Sequence, residues 1–154
     1  MTLRTARSDI AFMSSLFTAA EEEAHKLGDD VMGPEHLVVA VLDLDDIHRS
    51  DLNRLGLDAD SFRRAIASVH ADALATSGVY GSPASIEGGP SGPLRSTQGA
   101  QQVFRDARKR AKAKRAPLTA AGILASAARP EHGTTARALA HLGIDRAAVE
   151  ALDQ

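Results

Sequence analysis

The sequence of 154 residues contains no cysteine. A chain without thiols forms no disulfide, offers no thiolate ligand to a metal and has no cysteine nucleophile. Tryptophan is also absent, and aromatic residues make up only 3% of the chain, although 44% of its residues are hydrophobic. The core therefore has to be built from leucine, valine, isoleucine and much alanine, which is the strongest helix former and suits closely packed helices.

Strong net charge and long apolar runs are absent as well. The formal net charge is −2, so no global electrostatic field favours nucleic acid or a membrane surface. No stretch approaches the roughly 20 apolar residues that span a bilayer. The N-terminus lacks the continuous apolar segment of a signal peptide. The length suits one ordinary domain, and we expect a cytoplasmic protein that does not associate with membranes.

Helical periodicity dominates the front half of the chain. After a loose tail over residues 1–8, apolar residues recur at helical spacing from about Asp9 to Leu27. Gly33-Pro34-Glu35 carries the start signals of a second helix, because proline suits the first helical position and an acidic first turn complements the helix dipole. A third, short helix is predicted from about Ile47 to Leu55, and Asp58 is positioned to cap a fourth.

A linker and a second set of helices follow. Residues 76–93 are rich in glycine, proline and serine and are predicted to form a linker without regular structure. Beyond it, a long helix is predicted from about Thr97 to Lys114. Thr119 is positioned to cap the next helix and Asp145 to cap the last one, because both side chains can accept a hydrogen bond from the first helical turn.

The two halves repeat one pattern. Leu52–Asp58 and Leu139–Asp145 both end an apolar helical stretch with Leu-Gly-apolar-Asp, and their glycines are 87 residues apart (143 − 56). A long-period internal repeat defines the structural unit of a fold. We therefore predict an all-α fold of about eight helices, in which two tandem four-helix repeats, residues 9–75 and 94–154, form one compact domain with pseudo-twofold symmetry.

Three segments of the front half carry a resemblance to a known family. Glu22–Gly28 ends the first helix, Gly33-Pro34-Glu35-His36-Leu37 opens the second, and Leu55-Gly56-Leu57 joins the last pair. This order resembles the Clp N-terminal repeat, the substrate-receptor domain of the Clp unfoldases, most like the ClpC type. The back half keeps Thr97-x-x-Ala100-x-x-Val103 but has Thr119–Ile123 where the family motif has Gly-Thr-Glu-His-Leu.

The resemblance implies a phosphoarginine-binding site formed by Glu35 with Pro34 and Gly33. In ClpC-type domains the matching glutamate of each repeat is implicated in binding this degradation tag. A carboxylate can pair bidentately with a guanidinium group, and the N–H groups of a helix N-terminus receive an anion. The second repeat has Ala121 at the matching position, so one site is expected. The alternative is that Glu35 only complements the helix dipole.

The resemblance also implies a groove between the first helices of the two repeats. In the ClpC family this surface binds cyclic peptide antibiotics of the cyclomarin kind. The matching residues are Phe17, Glu21, Ser96, Gln101 and Phe104. The alternative is that Phe17 and Phe104 belong to the core, which is the commoner role of phenylalanine at helical spacing.

The charged runs and the histidines indicate no further chemistry. The basic residues of 105–115 are typical of a solvated helix face, with docking onto an acidic partner protein as an alternative. No interleaved aromatic residues support nucleic-acid binding. The acidic residues of 43–51 lack the glycine and the closing glutamate of an EF-hand. The histidines have no metal-binding motif, and no phosphate-binding P-loop occurs. We expect no metal and no cofactor.

The resemblance, together with the missing P-loop, implies a non-catalytic, stand-alone binding protein. It would recognise peptides, phosphoarginine-tagged proteins or cyclomarin-type cyclic peptides, and act as an adaptor, competitor or decoy for a ClpC/ClpP protease system. The expected partners are Clp unfoldase or protease components and their substrates. Two alternatives stay open, namely an N-terminal receptor fragment of a larger ATP-dependent Clp unfoldase and a nucleic-acid-binding regulator that uses the basic helix of residues 105–115.

Overall fold

A computed structural model describes residues 3–44, 47, 49–78 and 96–154, and eight α-helices form within these ranges. The helices are α1 (Leu3–Leu27), α2 (Pro34–Asp43), α3 (Arg49–Leu55), α4 (Ala59–Ser77), α5 (Gln98–Lys114), α6 (Ala120–Ala128), α7 (Thr134–His141) and α8 (Arg146–Glu150), and a single 3₁₀ turn covers Ala151–Asp153. The predicted all-α fold of eight helices is confirmed. No described helix is long and apolar enough to cross a membrane.

The predicted caps and turns lie where the sequence indicates. The Asp58 carboxylate accepts a hydrogen bond from the Ser61 N–H at 2.8 Å, and the Asp145 carboxylate accepts one from the Ala147 N–H at 3.0 Å. Gly56 and Gly143 end their helices with φ of 68° and 69°. This left-handed conformation favours glycine, so the repeated Leu-Gly motif has the same backbone role in both halves.

Three predicted boundaries are wrong. Residues 3–8, predicted to be a tail, form the first turns of α1, because no glycine or proline interrupts the chain before Gly28. α3 begins at Arg49 rather than near Ile47. α4 continues to Ser77 and is capped by Gly78 at φ 72°, so the start of the predicted linker is helical. Residues 79–93 of that linker lie outside the described residues.

The core surrounds two central helices, α2 and α6. Every residue from His36 to Leu42 in α2 is buried, and so is every residue from Gly122 to Ala128 in α6. The two helices pack against each other, with α1 on the outside of α2 and α5 on the outside of α6. Alanine occupies three of the last four positions of α6, and these small side chains allow neighbouring helices to pack closely.

The pseudo-twofold relation is unequal at the ends of the repeats. The last helix of the first repeat, α4, has 19 residues and packs on α2 and α7. Its counterpart α8 has five residues and continues into the 3₁₀ turn, which packs on α6. The second repeat therefore covers its central helix with a much shorter segment.

Two reciprocal contacts join the repeats. Met32, two residues before α2, accepts a hydrogen bond from the Thr97 N–H at 2.9 Å and forms an isolated parallel bridge with Ser96. Leu118, two residues before α6, donates its N–H to the Asp9 carboxylate of α1 at 3.0 Å. Each loop before a central helix is thus held by the first helical region of the other repeat, which places the start of α2 at the boundary between repeats.

Candidate functional site

The start of α2 is organised by a buried histidine. Gly33 is the N-cap residue, and Pro34 takes the first helical position as predicted. The Gly33 N–H donates to Nδ1 of His36 at 2.8 Å, and the His36 side chain is buried. The His36 ring thereby satisfies a backbone donor that would otherwise be left without a partner at the helix start.

This hydrogen bond determines the tautomer of His36. A backbone N–H can only donate, so Nδ1 is the acceptor and the ring proton is on Nε2. Nε2 lies 3.0 Å from Oδ2 of Asp29, to which it donates. A fully buried ring therefore orients the carboxylate of Asp29, which lies in the loop between α1 and α2 and is half-exposed.

The Glu35 side chain folds back over Gly33. A Cβ atom added at Gly33 would lie 2.5 Å from Oε1 and 2.7 Å from Oε2 of Glu35, so only glycine leaves room for this arrangement. The Glu35 side chain is 13% exposed. Its Oε1 is 4.0 Å from Nδ1 of His36, but that nitrogen already accepts from Gly33, so the two groups form no ion pair.

A second histidine completes what we call the first-repeat pocket, defined as Asp29, Glu35, His36 and His70. His70 lies on α4 and its Nδ1 is 4.0 Å from Oδ2 of Asp29. Ligand atoms of Asp29, Glu35 and His70 all lie within 4.8 Å of one another, and all three side chains are partly exposed. Two carboxylates and one imidazole thus converge beside the N-terminus of α2.

The sequence motif predicts only part of this pocket. Glu35, Gly33 and Pro34 were predicted from their motif, and the structure places them together. Asp29 and His70 were missed. Asp29 directly follows the predicted cap Gly28, so its position in the loop before α2 is predictable from the sequence. The orientation of α4, which brings His70 to Asp29, depends on helix packing and is not.

Pro34 connects the pocket to the second repeat. Its ring lies against α5, because a Cβ atom added at Gly99 would be only 3.1 Å from Pro34 Cγ. Pro34 has neither a hydroxyl nor an N–H group, so it contributes packing rather than hydrogen bonds. The glycine at position 99 allows the first turns of α2 and α5 to approach closely.

The corresponding position in the second repeat is built differently. Thr119 caps α6, and its Oγ1 accepts from the Gly122 N–H at 3.1 Å. Ala121 and Gly122 stand where the first repeat has its Glu-His pair. A Cβ atom added at Gly122 would lie 3.6 Å from the Asp153 carboxylate. Asp153 therefore lies beside the space that a histidine ring would need.

The Asp153 carboxylate is held by two cations of α5. Arg110 Nε and Lys114 Nζ each lie 3.0 Å from its oxygens, and the Asp153 side chain is mostly buried. Lys114 also donates to the Asp153 carbonyl. The second repeat thus carries a closed ion-pair network at the place where the first repeat has a partly exposed acidic pocket.

The predicted groove residues fall into two groups. Phe17 of α1 and Phe104 of α5 are in contact, with ring centroids 4.4 Å apart and planes inclined by 33°. They are 87 residues apart (104 − 17), the same offset as the Leu-Gly turns, so they occupy corresponding positions in the two repeats. Phe104 is buried and Phe17 is half-buried, so the contact between the two rings covers much of the surface that either ring could offer to a ligand.

The polar groove residues surround this ring pair unevenly. Glu21, one turn after Phe17 on α1, is half-buried. Ser96 is buried in the bridge with Met32, so its side chain is not available as an anchor. Gln101 is exposed, and its Nε2 lies 3.5 Å from the Ser96 carbonyl.

A buried carboxylate of α1 forms an ion pair with an arginine of α4. The Glu23 side chain is buried and accepts hydrogen bonds from Arg63 Nε at 2.8 Å, Arg63 Nη2 at 2.9 Å and Lys26 Nζ at 2.9 Å. These bonds, chiefly those from Arg63, lower the pKa of Glu23 to about 2 against the opposing effect of burial. The same contact raises the pKa of Arg63, which also binds Asp43 and Asp60.

The basic run of α5 is partly used inside the molecule. Arg110 and Lys114 bind Asp153, and Arg105 donates to the Gln102 side chain. The remaining basic residues are exposed: Arg108, Lys109, Lys112 and Arg115. The exposed remainder is consistent with the predicted solvated helix face.

Comparisons with known proteins bear on this geometry. A family model described as the Clp repeat (R) N-terminal domain matches residues 12–112. The solved N-terminal domain of the caseinolytic protease associated chaperone ClpD from Arabidopsis thaliana is similar in fold, with a TM-score of 0.70 and 19% sequence identity. That similarity covers 90% of this chain and 87% of the ClpD chain. No curated protein sequence matches.

Proposed function

Because the chain belongs to the Clp repeat N-terminal domain family, whose members are non-catalytic domains that bind substrates or adaptors of Clp chaperones, we propose that its ligand is an arginine-bearing protein segment. The first-repeat pocket binds the arginine side chain, in the manner of a phosphoarginine degradation tag. Bound in this way, the protein acts as an adaptor, competitor or decoy for a ClpC/ClpP-type protease system.

The observation that carries this proposal is the pair of carboxylates in the pocket. Oxygens of Asp29 and Glu35 lie within 4.8 Å of each other and both side chains are partly exposed. A guanidinium group is planar and has five N–H donors, so it can engage two carboxylates at once, which a lysine ammonium does less well. His36 keeps Asp29 in place for such a ligand.

The position of the pocket also favours a phosphate on the arginine. The first N–H groups of a helix have no acceptor within the helix and carry a partial positive charge. α2 begins with Pro34, which has no N–H, so Glu35 and His36 supply the first backbone donors for a phosphate. The carboxylates would bind the guanidinium while the helix start receives the anion.

The second repeat supports a stoichiometry of one ligand per chain. Ala121 supplies no carboxylate, and Asp153 is already bound to Arg110 and Lys114. The aromatic pair of Phe17 and Phe104 is a separate surface, and we keep cyclomarin-type cyclic peptides as its proposed ligand. Phe17 is the more exposed ring and therefore the expected contact.

Isothermal titration with a phosphoarginine peptide tests this proposal. We expect one site per chain and a loss of affinity of about tenfold or more in Glu35→Gln, since removing one partner of a charge pair costs about 2 kcal/mol or more. Glu131→Gln, an exposed glutamate of the second repeat, is the matched control and should bind as the wild type does. Equal affinity in Glu35→Gln and the wild type, or two equivalent sites, would refute the proposal.

A further inference from the structure

We propose that Asp29, Glu35 and His70 form a binding site for a divalent transition metal ion, for which Zn²⁺ is the appropriate probe. The three residues come from three elements: the loop before α2, the first turn of α2, and α4. The site therefore exists only in the folded chain, where the helices of the first repeat bring these side chains together.

The spacing of the donor atoms suits such an ion after a small adjustment. The three ligand atoms lie within 4.8 Å of one another, and His70 Nδ1 is 4.0 Å from Asp29 Oδ2. Bonds of about 2.0–2.2 Å to zinc require donors about 3.4 Å apart, so each atom has to move inward by about 1 Å or less. Rotation about the χ angles of partly exposed side chains is enough to move their end atoms by this distance.

The donor set selects the kind of metal. One imidazole nitrogen with two carboxylate oxygens is a ligand set for zinc and related transition metals, whereas calcium and magnesium prefer oxygen ligands throughout. Three protein ligands leave a fourth tetrahedral position for water or an anionic ligand atom.

The surroundings of Asp29 supply a separate argument. The buried His36 ring donates from Nε2 to Asp29 Oδ2 at 3.0 Å, and the ring itself is fixed by the Gly33 N–H at 2.8 Å. Metal-binding carboxylates are characteristically oriented by outer hydrogen bonds of this kind. Gly33 also provides the space in which the Glu35 carboxylate approaches Asp29.

A metal ion and a guanidinium group would compete for the same two carboxylates. The metal inference rests on donor geometry and on the hydrogen bonds of Asp29, so it does not depend on the arginine proposal. Its test contains no peptide, and failure of either proposal is therefore visible without reference to the other.

The test titrates Zn²⁺ into the chelator-treated protein by calorimetry. We expect one ion per chain in the wild type and an affinity about tenfold to a hundredfold lower in His70→Ala. His141→Ala removes an exposed histidine of α7 and should leave binding unchanged. If His70→Ala unfolds, as judged by circular dichroism, Glu35→Gln takes its place. Co²⁺ in place of Zn²⁺ gives a visible spectrum that should also depend on His70.

Three outcomes would overturn the inference. The first is no uptake of Zn²⁺ by the wild type at about 100 μM ion. The second is unchanged affinity in both His70→Ala and Glu35→Gln. The third is an equal loss in His141→Ala, which would indicate binding distributed over surface histidines.

Discussion

Replacing Glu23, a buried carboxylate of α1, with glutamine should destabilise the protein more than replacing its exposed neighbour Glu22. Glu23 is 3% exposed and is the acceptor of three hydrogen bonds from Arg63 and Lys26. Glutamine keeps the size of the side chain but removes its charge. Among the described residues, Arg63 would then keep Asp43 and Asp60 as its anionic partners.

The pKa of Glu23 gives the magnitude. A decrease from 4.5 to about 2 corresponds to about 3 kcal/mol of folding free energy at neutral pH, at about 1.4 kcal/mol per pH unit. Since the folded-state pKa is lowered, this stabilisation is present above pH 4.5 and is lost as the pH falls towards 2. Because Arg63 retains two other carboxylates, we expect Glu23→Gln to cost about 2–3 kcal/mol, or about 5–10 °C in Tm.

Urea unfolding followed by circular dichroism at pH 7 and pH 3 measures this effect. The difference in the free energy of unfolding between the wild type and Glu23→Gln should fall to less than half at pH 3. At that pH, most of the stabilisation that comes from the lowered pKa of Glu23 is lost. Glu22→Gln is the matched control, since Glu22 is the exposed neighbour on the same helix. A cost below about 0.5 kcal/mol, or a difference that does not shrink at low pH, would refute the reasoning.

Two further predictions concern the scaffold. Phe104→Ala should lower the free energy of unfolding by about 3 kcal/mol, and Phe17→Ala by less, because Phe104 is buried whereas Phe17 is half-buried; equal losses in urea unfolding would contradict this. Gly56→Ala should cost about 1–2 kcal/mol at φ 68°, and Gly56→Asn should cost less because asparagine tolerates this conformation. Thermal unfolding distinguishes the two, and an equal Tm for both would argue against backbone strain.

The order of the helices and several of their caps could be predicted because their signals are local. An aspartate or threonine cap acts within three residues of itself, and a glycine turn depends on one φ angle. Asp58, Gly56 and Gly143 therefore have the predicted roles. The start of α1 was misjudged because an N-terminal stretch without breakers carries no local signal of where a helix begins, and Asp9 stabilises it through a distant loop.

The pocket could be predicted only in part because it is not local. Glu35 belongs to a sequence motif, but His70 is 35 residues further along (70 − 35) and reaches the pocket through the packing of α4 on α2. The role of His36 as the support of Asp29 depends on a tautomer that only the three-dimensional contact with Gly33 defines. Hydrophobic periodicity predicts whether a residue is buried or exposed, but it does not predict which residues from different helices contact each other.

In the described residues, each repeat holds its last segment through an ion pair with its first helix, and the charges of the two ion pairs are reversed. Glu23 and Arg110 occupy equivalent positions (110 − 23 = 87), and each binds the last segment of its own repeat, Glu23 through Arg63 and Arg110 through Asp153. In the second repeat the cation is on the first helix, as Arg110, and its partner carboxylate, Asp153, lies beside the first turn of α6. Gly122 has no side chain to fill the space beside the Asp153 carboxylate, which is bound by Arg110 and Lys114. In the first repeat, the side chains of Asp29 and Glu35 stay partly exposed.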